Sequence, residues 1–95
     1  MPVNAIYTVE QKIESIEAQL LDAVNLVSDD ELFFASYLHG HFDLVIVQTM
    51  AQPEPSVSLM DRIMQQSLAK AFANGELDQE EQESVIALWQ NLIKT

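Results

Sequence analysis

The stretch from Ser28 to Ala51 constrains the fold most, because its apolar residues fall on nearly every side of a helix. When side chains are projected at about 100° per residue, only Ser36, His39 and Asp43 form a narrow polar strip. A helix that is apolar almost all round is one surrounded by other elements. We therefore predict a central, largely buried helix over residues 29–51, with the remaining segments packed around it.

A strand is the competing interpretation of part of this stretch. Leu44 to Val47 is a run with strong strand propensity, which would be extended if the helix broke at Gly40. No turn residues follow Gly40, however, and no second candidate strand exists to pair with this one. The helix is therefore the favoured interpretation.

Gly40 needs a reason to stand inside a helix, where glycine costs up to about 1 kcal/mol relative to alanine. The usual reason is the close approach of another helix or of a large ring. Trp89 and Phe72 are the rings available for such a contact. We accordingly expect Gly40→Leu to destabilise the fold strongly.

Apolar residues spaced three and four apart predict three further helices, over about residues 9–26, 57–73 and 79–93. The residues before 8 have no clear period and are interpreted as a short lead-in. The linker at 52–56 contains two prolines, which exclude a continuing helix. The sequence thus predicts an all-α fold, a small four-helix bundle forming one domain over residues 1–95.

Helix ends are marked by residues that satisfy unpaired backbone groups. Either Ser56 or Ser58 is expected to cap the third helix, and Asn74 with Gly75 to end it. Capping boxes, in which two side chains and two backbone N–H groups pair reciprocally, are predicted at the other starts. The predicted boxes are Thr8 with Gln11, Ser28 with Glu31, and Asp78 with Glu81.

Charge and composition narrow the classes of partner. Fifteen acidic against four basic residues give a formal net charge of −11, which argues against nucleic acid and anionic membranes as partners. A basic protein or a cation remains compatible, although the charge can also serve solubility alone. The chain has no cysteine, no apolar run long enough to span a bilayer and no signal-peptide pattern, so we expect a cytoplasmic protein.

Short motifs along the chain resemble those of a known family. They are SDDELF at 28–33, YLHGH at 37–41, QSL at 66–68, Lys70-Ala71, GEL at 75–77, and Trp89 with Asn91-Leu92. In their order and spacing the chain resembles the bacterial YfcL-like proteins over residues 15–93. The resemblance implies an all-α, single-domain, cytoplasmic protein of the gammaproteobacterial type. It implies no catalytic or binding residues, because the family has no assigned activity.

The two histidines are candidate binding residues. His39 and His41 are two positions apart, so on a helix they point about 200° from each other and cannot hold one metal together. His39 lies four residues before Asp43, a spacing that allows a weak helical ion pair. His41 points toward the apolar side of the helix. The alternative to a binding role is that it is a core histidine, hydrogen-bonded to a backbone carbonyl or a carboxylate.

The acidic run from Glu76 to Glu83 holds five carboxylates in eight residues. An EF-hand calcium loop needs oxygen ligands at alternating positions over about twelve residues, with a central glycine. Here Gly75 precedes the acids, which continue into a helix. Helix capping and the helix dipole explain the run better than a metal site, so no metal or cofactor is predicted.

Ser58, followed by Leu59 and Met60, resembles the modified serine of acyl carrier proteins, which are acidic four-helix bundles of similar size. Val57 replaces the usual aspartate, and the serine lies past the middle of the chain. A helix cap is the simpler interpretation. A carrier-like role at Ser58 is therefore the less favoured alternative.

Two hypotheses of function follow. The first is a non-catalytic interaction module, monomeric or homodimeric, that presents an acidic face or a groove beside the second helix to a basic or apolar protein. The groove would be lined by residues that could equally be core: Tyr37, Phe42, Trp89, Met50, Met60 and Met64. The second is a small-ligand or metal-dependent activity, possibly an enzyme, centred on His39, His41 and Asp43, which needs a solvent-reachable cavity beside His41. No catalytic residue is predicted, and the candidate binding residues are Tyr37, His39, His41 and Asp43.

Overall fold

The part of the chain that the structure describes forms four α-helices in sequence. The computed structural model describes residues 2–26 and 28–94, with side chains described over 8–22 and 28–94. The helices are α1 (Pro2–Leu26), α2 (Asp29–Met50), α3 (Val57–Ala73) and α4 (Gln79–Lys94), and the described residues contain no strand. The predicted all-α four-helix bundle is confirmed, and the strand interpretation of residues 44–47 is wrong because they lie within α2.

The start of α1 differs from the prediction. The helix begins at Pro2, so the residues interpreted as a lead-in are helical and Thr8 lies inside the helix. The predicted capping box of Thr8 with Gln11 is therefore wrong. Proline favours the first helical position, because its fixed φ suits the helix and its missing N–H would have no partner there.

The caps of α2 and α4 involve the predicted residues. At α2 the Oγ of Ser28 accepts a hydrogen bond from the backbone N–H of Glu31 at 3.3 Å, which confirms Ser28 as the cap. At α4 the capping box is complete. The N–H of Glu81 donates to Oδ1 of Asp78, and the N–H of Asp78 donates to Oε1 of Glu81, both at 2.9 Å.

The cap of α3 is Ser56, which leaves Ser58 one position inside the helix. The Oγ of Ser56 accepts a hydrogen bond from the N–H of Leu59 at 3.0 Å. At the other end of α3, Asn74 caps the helix and Gly75 follows with a φ of 76°. Glycine adopts this left-handed conformation without the steric cost that a Cβ would bring.

The core gathers on one side of α2, which contacts each of the other helices. Trp89 of α4 connects its helix to α2 and α3. Its ring centroid lies 5.8 Å from that of Phe42 on α2, and its Nε1 donates a hydrogen bond to Oδ1 of Asp61 on α3 at 2.8 Å. The central helix of the prediction is thus confirmed. The main buried cluster is Ile16, Leu20, Ala35, Leu38, Phe42, Val45, Met60, Met64, Leu68, Leu77, Val85, Trp89 and Leu92.

This core settles the role of several residues offered for a binding groove. Phe42, Met60 and Met64 are fully buried, and Trp89 is 2% exposed. The side chains of Phe42, Met60 and Met64 fill the interior between the helices, so the core alternative holds for them and they line no open groove beside α2. Tyr37 and Met50 are half-buried.

The opposite side of α2 is open to solvent. The side chains of Phe33, Leu44 and Val47 are 45%, 61% and 67% exposed. The expectation that neighbours surround α2 therefore holds on its buried side and fails on this one. Gly40 also lies here, and a Cβ built on it meets no atom within 4 Å, so the predicted close contact with Trp89 or Phe72 is wrong.

Hydropathy along the helices bears on membrane insertion. Within the described part of the chain, no helix is both long enough and apolar enough to cross a bilayer.

Candidate functional site

An apolar stripe runs along the solvent-facing side of α2. Its residues are spaced alternately four and three apart, and we call them the outer stripe: Phe33, Tyr37, Gly40, Leu44 and Val47. Successive residues at this spacing stay on one face of a helix. The stripe lies opposite the buried face, whose residues are Ala35, Leu38, Phe42, Val45 and Thr49.

A depression opens in the middle of the outer stripe. It has a volume of about 280 Å³ and is lined by Tyr37, Gly40, His41 and Leu44. The depression exists because Gly40 carries no side chain between its larger neighbours. These residues occupy positions i, i+3, i+4 and i+7, the arrangement that accepts one side chain from a neighbouring helix in knobs-into-holes packing.

Aromatic rings border the N-terminal half of the outer stripe. The ring centroids of Phe33 and Tyr37 are 6.2 Å apart, and those of Tyr37 and His41 are 4.8 Å apart. Phe34 packs edge-on against Phe33 at 5.5 Å. Tyr37 and His41, which line the depression, therefore belong to a row of neighbouring rings.

A groove between α2 and α3 adjoins the depression at His41 and Leu44, which line both. Its volume is about 400 Å³. Inside it, Nδ1 of the half-buried His41 lies 2.8 Å from the Oγ of Ser67. His41 is therefore both paired and at the edge of an open groove. The remaining lining residues are Gln48, Ile63, Gln66, Lys70, Ala71, Asn74 and Glu76.

A hydrogen bond ties the loop after α3 to α2. The hydroxyl of Tyr37 donates to Oε1 of Glu76 at 2.9 Å. The pKa of Tyr37 is raised to about 12. The largest cause is burial, which disfavours the phenolate; in addition, Glu76 accepts a hydrogen bond from the neutral phenol, and its negative charge repels a phenolate. The phenol therefore keeps its proton at neutral pH and holds this loop against the outer stripe.

The four candidate binding residues divide into two places. Tyr37 and His41 lie at the depression, with His41 also in the groove. His39 and Asp43 lie close together, as their spacing predicts, with 3.7 Å between Nε2 and Oδ1. Neither lies among the described residues lining the depression or the groove. A single site centred on His39, His41 and Asp43 therefore has no common cavity in the part of the chain described.

Other residues at this surface were not singled out by the sequence. Phe33, Leu44 and Val47 belong to the helix predicted to be largely buried, because an all-apolar helix does not reveal which of its sides is covered. The sequence shows their regular spacing with Gly40, but it does not show that this side of the helix is exposed to solvent. Ser67 had no signal, because its contact with His41 depends on how α2 and α3 pack.

The acidic run and Ser58 take structural or exposed positions. Among the described residues, no group of three or more histidines and carboxylates is placed to hold a metal ion. Asp78 and Glu81 of the acidic run are engaged in the cap of α4. Ser58 is exposed on the first turn of α3.

Known proteins provide an independent comparison. A model of the family described as "YfcL protein" matches residues 10–94. A protein of Escherichia coli strain K12, described as "Uncharacterized protein YfcL", is 37% identical over 84 residues, which cover 87% of this chain and 91% of that protein. No solved structure matches the chain. The resemblance to the YfcL-like proteins is thus confirmed over most of the chain, and the chain belongs to the YfcL family.

Proposed function

We propose that the protein is a non-catalytic interaction module that binds a protein partner through the outer stripe of α2. One observation carries the proposal. Of the five large apolar side chains that are exposed among the described residues, three lie on this stripe: Phe33, Leu44 and Val47. Contiguous exposed apolar surface costs solubility, and on small proteins it commonly marks a binding site.

The polar groups beside the outer stripe support binding rather than catalysis. His41 is paired with Ser67, and the hydroxyl of Tyr37 is paired with Glu76. Both bonds join α2 to neighbouring segments, so they fix the shape of the surface that the stripe presents. A module of this kind needs a preformed face, which such bonds provide.

A cytoplasmic location belongs to the same proposal. Small secreted domains commonly depend on disulfides because their cores are small, and this chain of 95 residues contains no cysteine. An acidic protein with an apolar binding face is compatible with partners in that compartment.

Site-specific photo-cross-linking tests the proposal. A benzophenone amino acid is placed at Leu44, on the outer stripe, and separately at Leu21 of α1, which is similarly exposed at 57% against 61%. Both proteins are expressed in the cell from which the chain comes and irradiated there. We expect a discrete adduct of higher mass from position 44 and none from position 21. Equal adducts from both positions, or none from position 44, would contradict the proposal.

A second candidate function is the binding of a small ligand in the groove between α2 and α3. The observation that favours it is the pair of His41 and Ser67, 2.8 Å apart at the wall of a groove of about 400 Å³. A fragment library screened by amide chemical shifts tests it. Ligands of this site shift the signals of Ser67 and Lys70 and lose affinity in Ser67→Ala. Shifts that survive this substitution would assign the ligand elsewhere.

A further inference from the structure

We propose that the partner docks through a basic amphipathic helix, which seats one large apolar side chain in the depression over Gly40. The inference rests on the proposed function and names the chemistry of the partner. It is carried by the spacing of the outer stripe, by the shape of the depression and by the charges around both.

The spacing of the outer stripe matches a helix. Its residues repeat alternately four and three apart from Phe33 to Val47, a mean period of about 3.5 residues. Two helices that cross at a small angle stay in contact along such a seam, because each presents the same repeat to the other. An extended peptide would instead pair with the edge of a sheet, and the described residues form no sheet.

The depression has the form of a single hole for such a helix. Its lining residues are Tyr37, Gly40, His41 and Leu44, one helical turn above and below the glycine. No contact within the described chain explains Gly40, since a Cβ there meets nothing within 4 Å. The absence of a side chain lets another backbone approach closely, which accounts for a glycine inside an exposed helical face.

The negative charges around the outer stripe favour a positively charged partner. Around the outer stripe lie the exposed Asp29, one turn before Phe33, and Asp43, one turn before Val47, while Glu76 accepts the hydrogen bond of Tyr37. Among the described residues that line the depression and the groove, Lys70 is the one lysine or arginine. The net charge of −11 extends this negative field over the whole molecule. Lysine and arginine beside the partner's apolar seam would complement it.

The same charges disfavour a second copy of the chain as the occupant. In a twofold dimer each surface meets its own equivalent, so the carboxylates at the edges of both stripes would face each other. Two chains of charge −11 also repel at a distance. A positively charged helix meets neither penalty.

Two synthetic peptides test the inference. One carries leucine at alternating spacings of three and four with lysine at the other positions, and its twin carries glutamate in place of lysine. Binding of each labelled peptide to the full chain is followed by fluorescence anisotropy at several salt concentrations. We expect the lysine peptide to bind, with an affinity that falls as salt rises, and the glutamate peptide to bind at least about tenfold more weakly.

Variants locate the bound peptide. Gly40→Leu fills the depression and Leu44→Gln removes one of its walls, so each should weaken binding of the lysine peptide about tenfold or more. Leu21→Gln, which removes an equally exposed leucine from α1, should leave the affinity unchanged. Circular dichroism checks that Gly40→Leu stays folded, as expected because leucine favours helix more than glycine does.

Several results would overturn the inference. They are equal binding of the two peptides, no binding of either, the same loss in Leu21→Gln as in Gly40→Leu, and a homodimer by light scattering that Gly40→Leu dissolves. A position-specific adduct from Leu44 in the cell, with no binding of the lysine peptide, would leave the interaction module standing and reject only the basic helix.

Discussion

The two glycines of the chain meet different requirements. Gly75 has a φ of 76°, in a region where a side chain is strained, and it allows the chain to leave α3. Gly40 is in ordinary helical conformation, with open space where its Cβ would be. The geometry of the folded chain therefore requires the first glycine and leaves the second replaceable.

Gly40→Ala should raise the free energy of unfolding by about 0.5–1 kcal/mol, because alanine has the higher helix propensity and its methyl group meets no neighbour. Gly75→Ala is the matched comparison and should lower it by about 1–2 kcal/mol, the cost of a left-handed non-glycine residue. Urea unfolding measures both. A destabilised Gly40→Ala would restore the close-packing account that the structure rejects.

Because of Tyr37, the free energy of unfolding should depend on pH in the alkaline range. Its pKa is about 12 in the folded protein and about 10 in an unfolded chain, so folding favours the protonated phenol. The resulting stabilisation is complete below about pH 10 and is lost as pH rises from there to about 12. In a Tyr7→Phe background, the phenolate absorbance of Tyr37 should therefore rise near pH 12 in the folded state.

The contribution of Glu76 to this shift can be isolated. Glu76→Gln should lower the pKa of Tyr37, because it removes both the carboxylate acceptor and the adjacent negative charge. Glu80→Gln removes the same charge from an exposed position with no contact to the phenol and should leave the titration where it was. A titration that Glu76→Gln does not move would mean that burial alone raises the pKa.

At the scale of the element, the stability of α3 depends on the capping hydrogen bond at its start. Ser56→Ala removes the acceptor of the Leu59 N–H and should lower the free energy of unfolding by about 1 kcal/mol, as for other serine caps. Ser58→Ala lies two positions further, exposed inside the helix, and should change it by less than about 0.5 kcal/mol. Thermal and urea unfolding measure the difference. Equal effects of the two substitutions would contradict the assignment of Ser56 as the cap.

How far the elements could be predicted depends on which interactions set them. Helix starts such as Ser28 and Asp78 are set by neighbours three residues away, so the sequence shows them. The start of α1 at Pro2 was missed because the residues that follow have no apolar period. The pairing of His41 with Ser67 is set by the packing of two helices, which a single sequence does not show.

The open side of α2 was also beyond the sequence. Amphipathic helices such as α4 reveal their buried side by contrast, since polar residues mark the other side. In α2 both Phe42 on the buried face and Leu44 on the exposed face are apolar, so there is no contrast to use. From the sequence we could therefore predict that the candidate site lies on α2 and includes Tyr37 and His41. That the outer stripe is exposed could be seen only in the structure.

For the molecule as a whole, the net charge of −11 should limit stability through self-repulsion. Raising the salt from about 10 mM to about 150 mM shortens the Debye length from about 30 Å to about 8 Å and screens much of this repulsion. We expect the Tm to rise over this range. Differential scanning calorimetry at constant pH measures it.

The double variant Glu54→Lys and Glu83→Lys is the control for this effect. It changes the net charge from −11 to −7, because each substitution replaces one negative charge with one positive charge. Both positions are exposed. Its Tm should rise less with salt than that of the wild type. An equal rise in both proteins would point to a cause other than charge repulsion.

Trp89 gives the protein an internal optical reporter. It is the one tryptophan of the chain, and its indole touches Phe42 of α2 and Asp61 of α3 from its place on α4. Its emission therefore reports whether these helices are assembled. Phe42 lies on the face of α2 opposite the outer stripe, so a helix docking over Gly40 should leave that emission unchanged, whereas any ligand that separates the helices should shift it to the red.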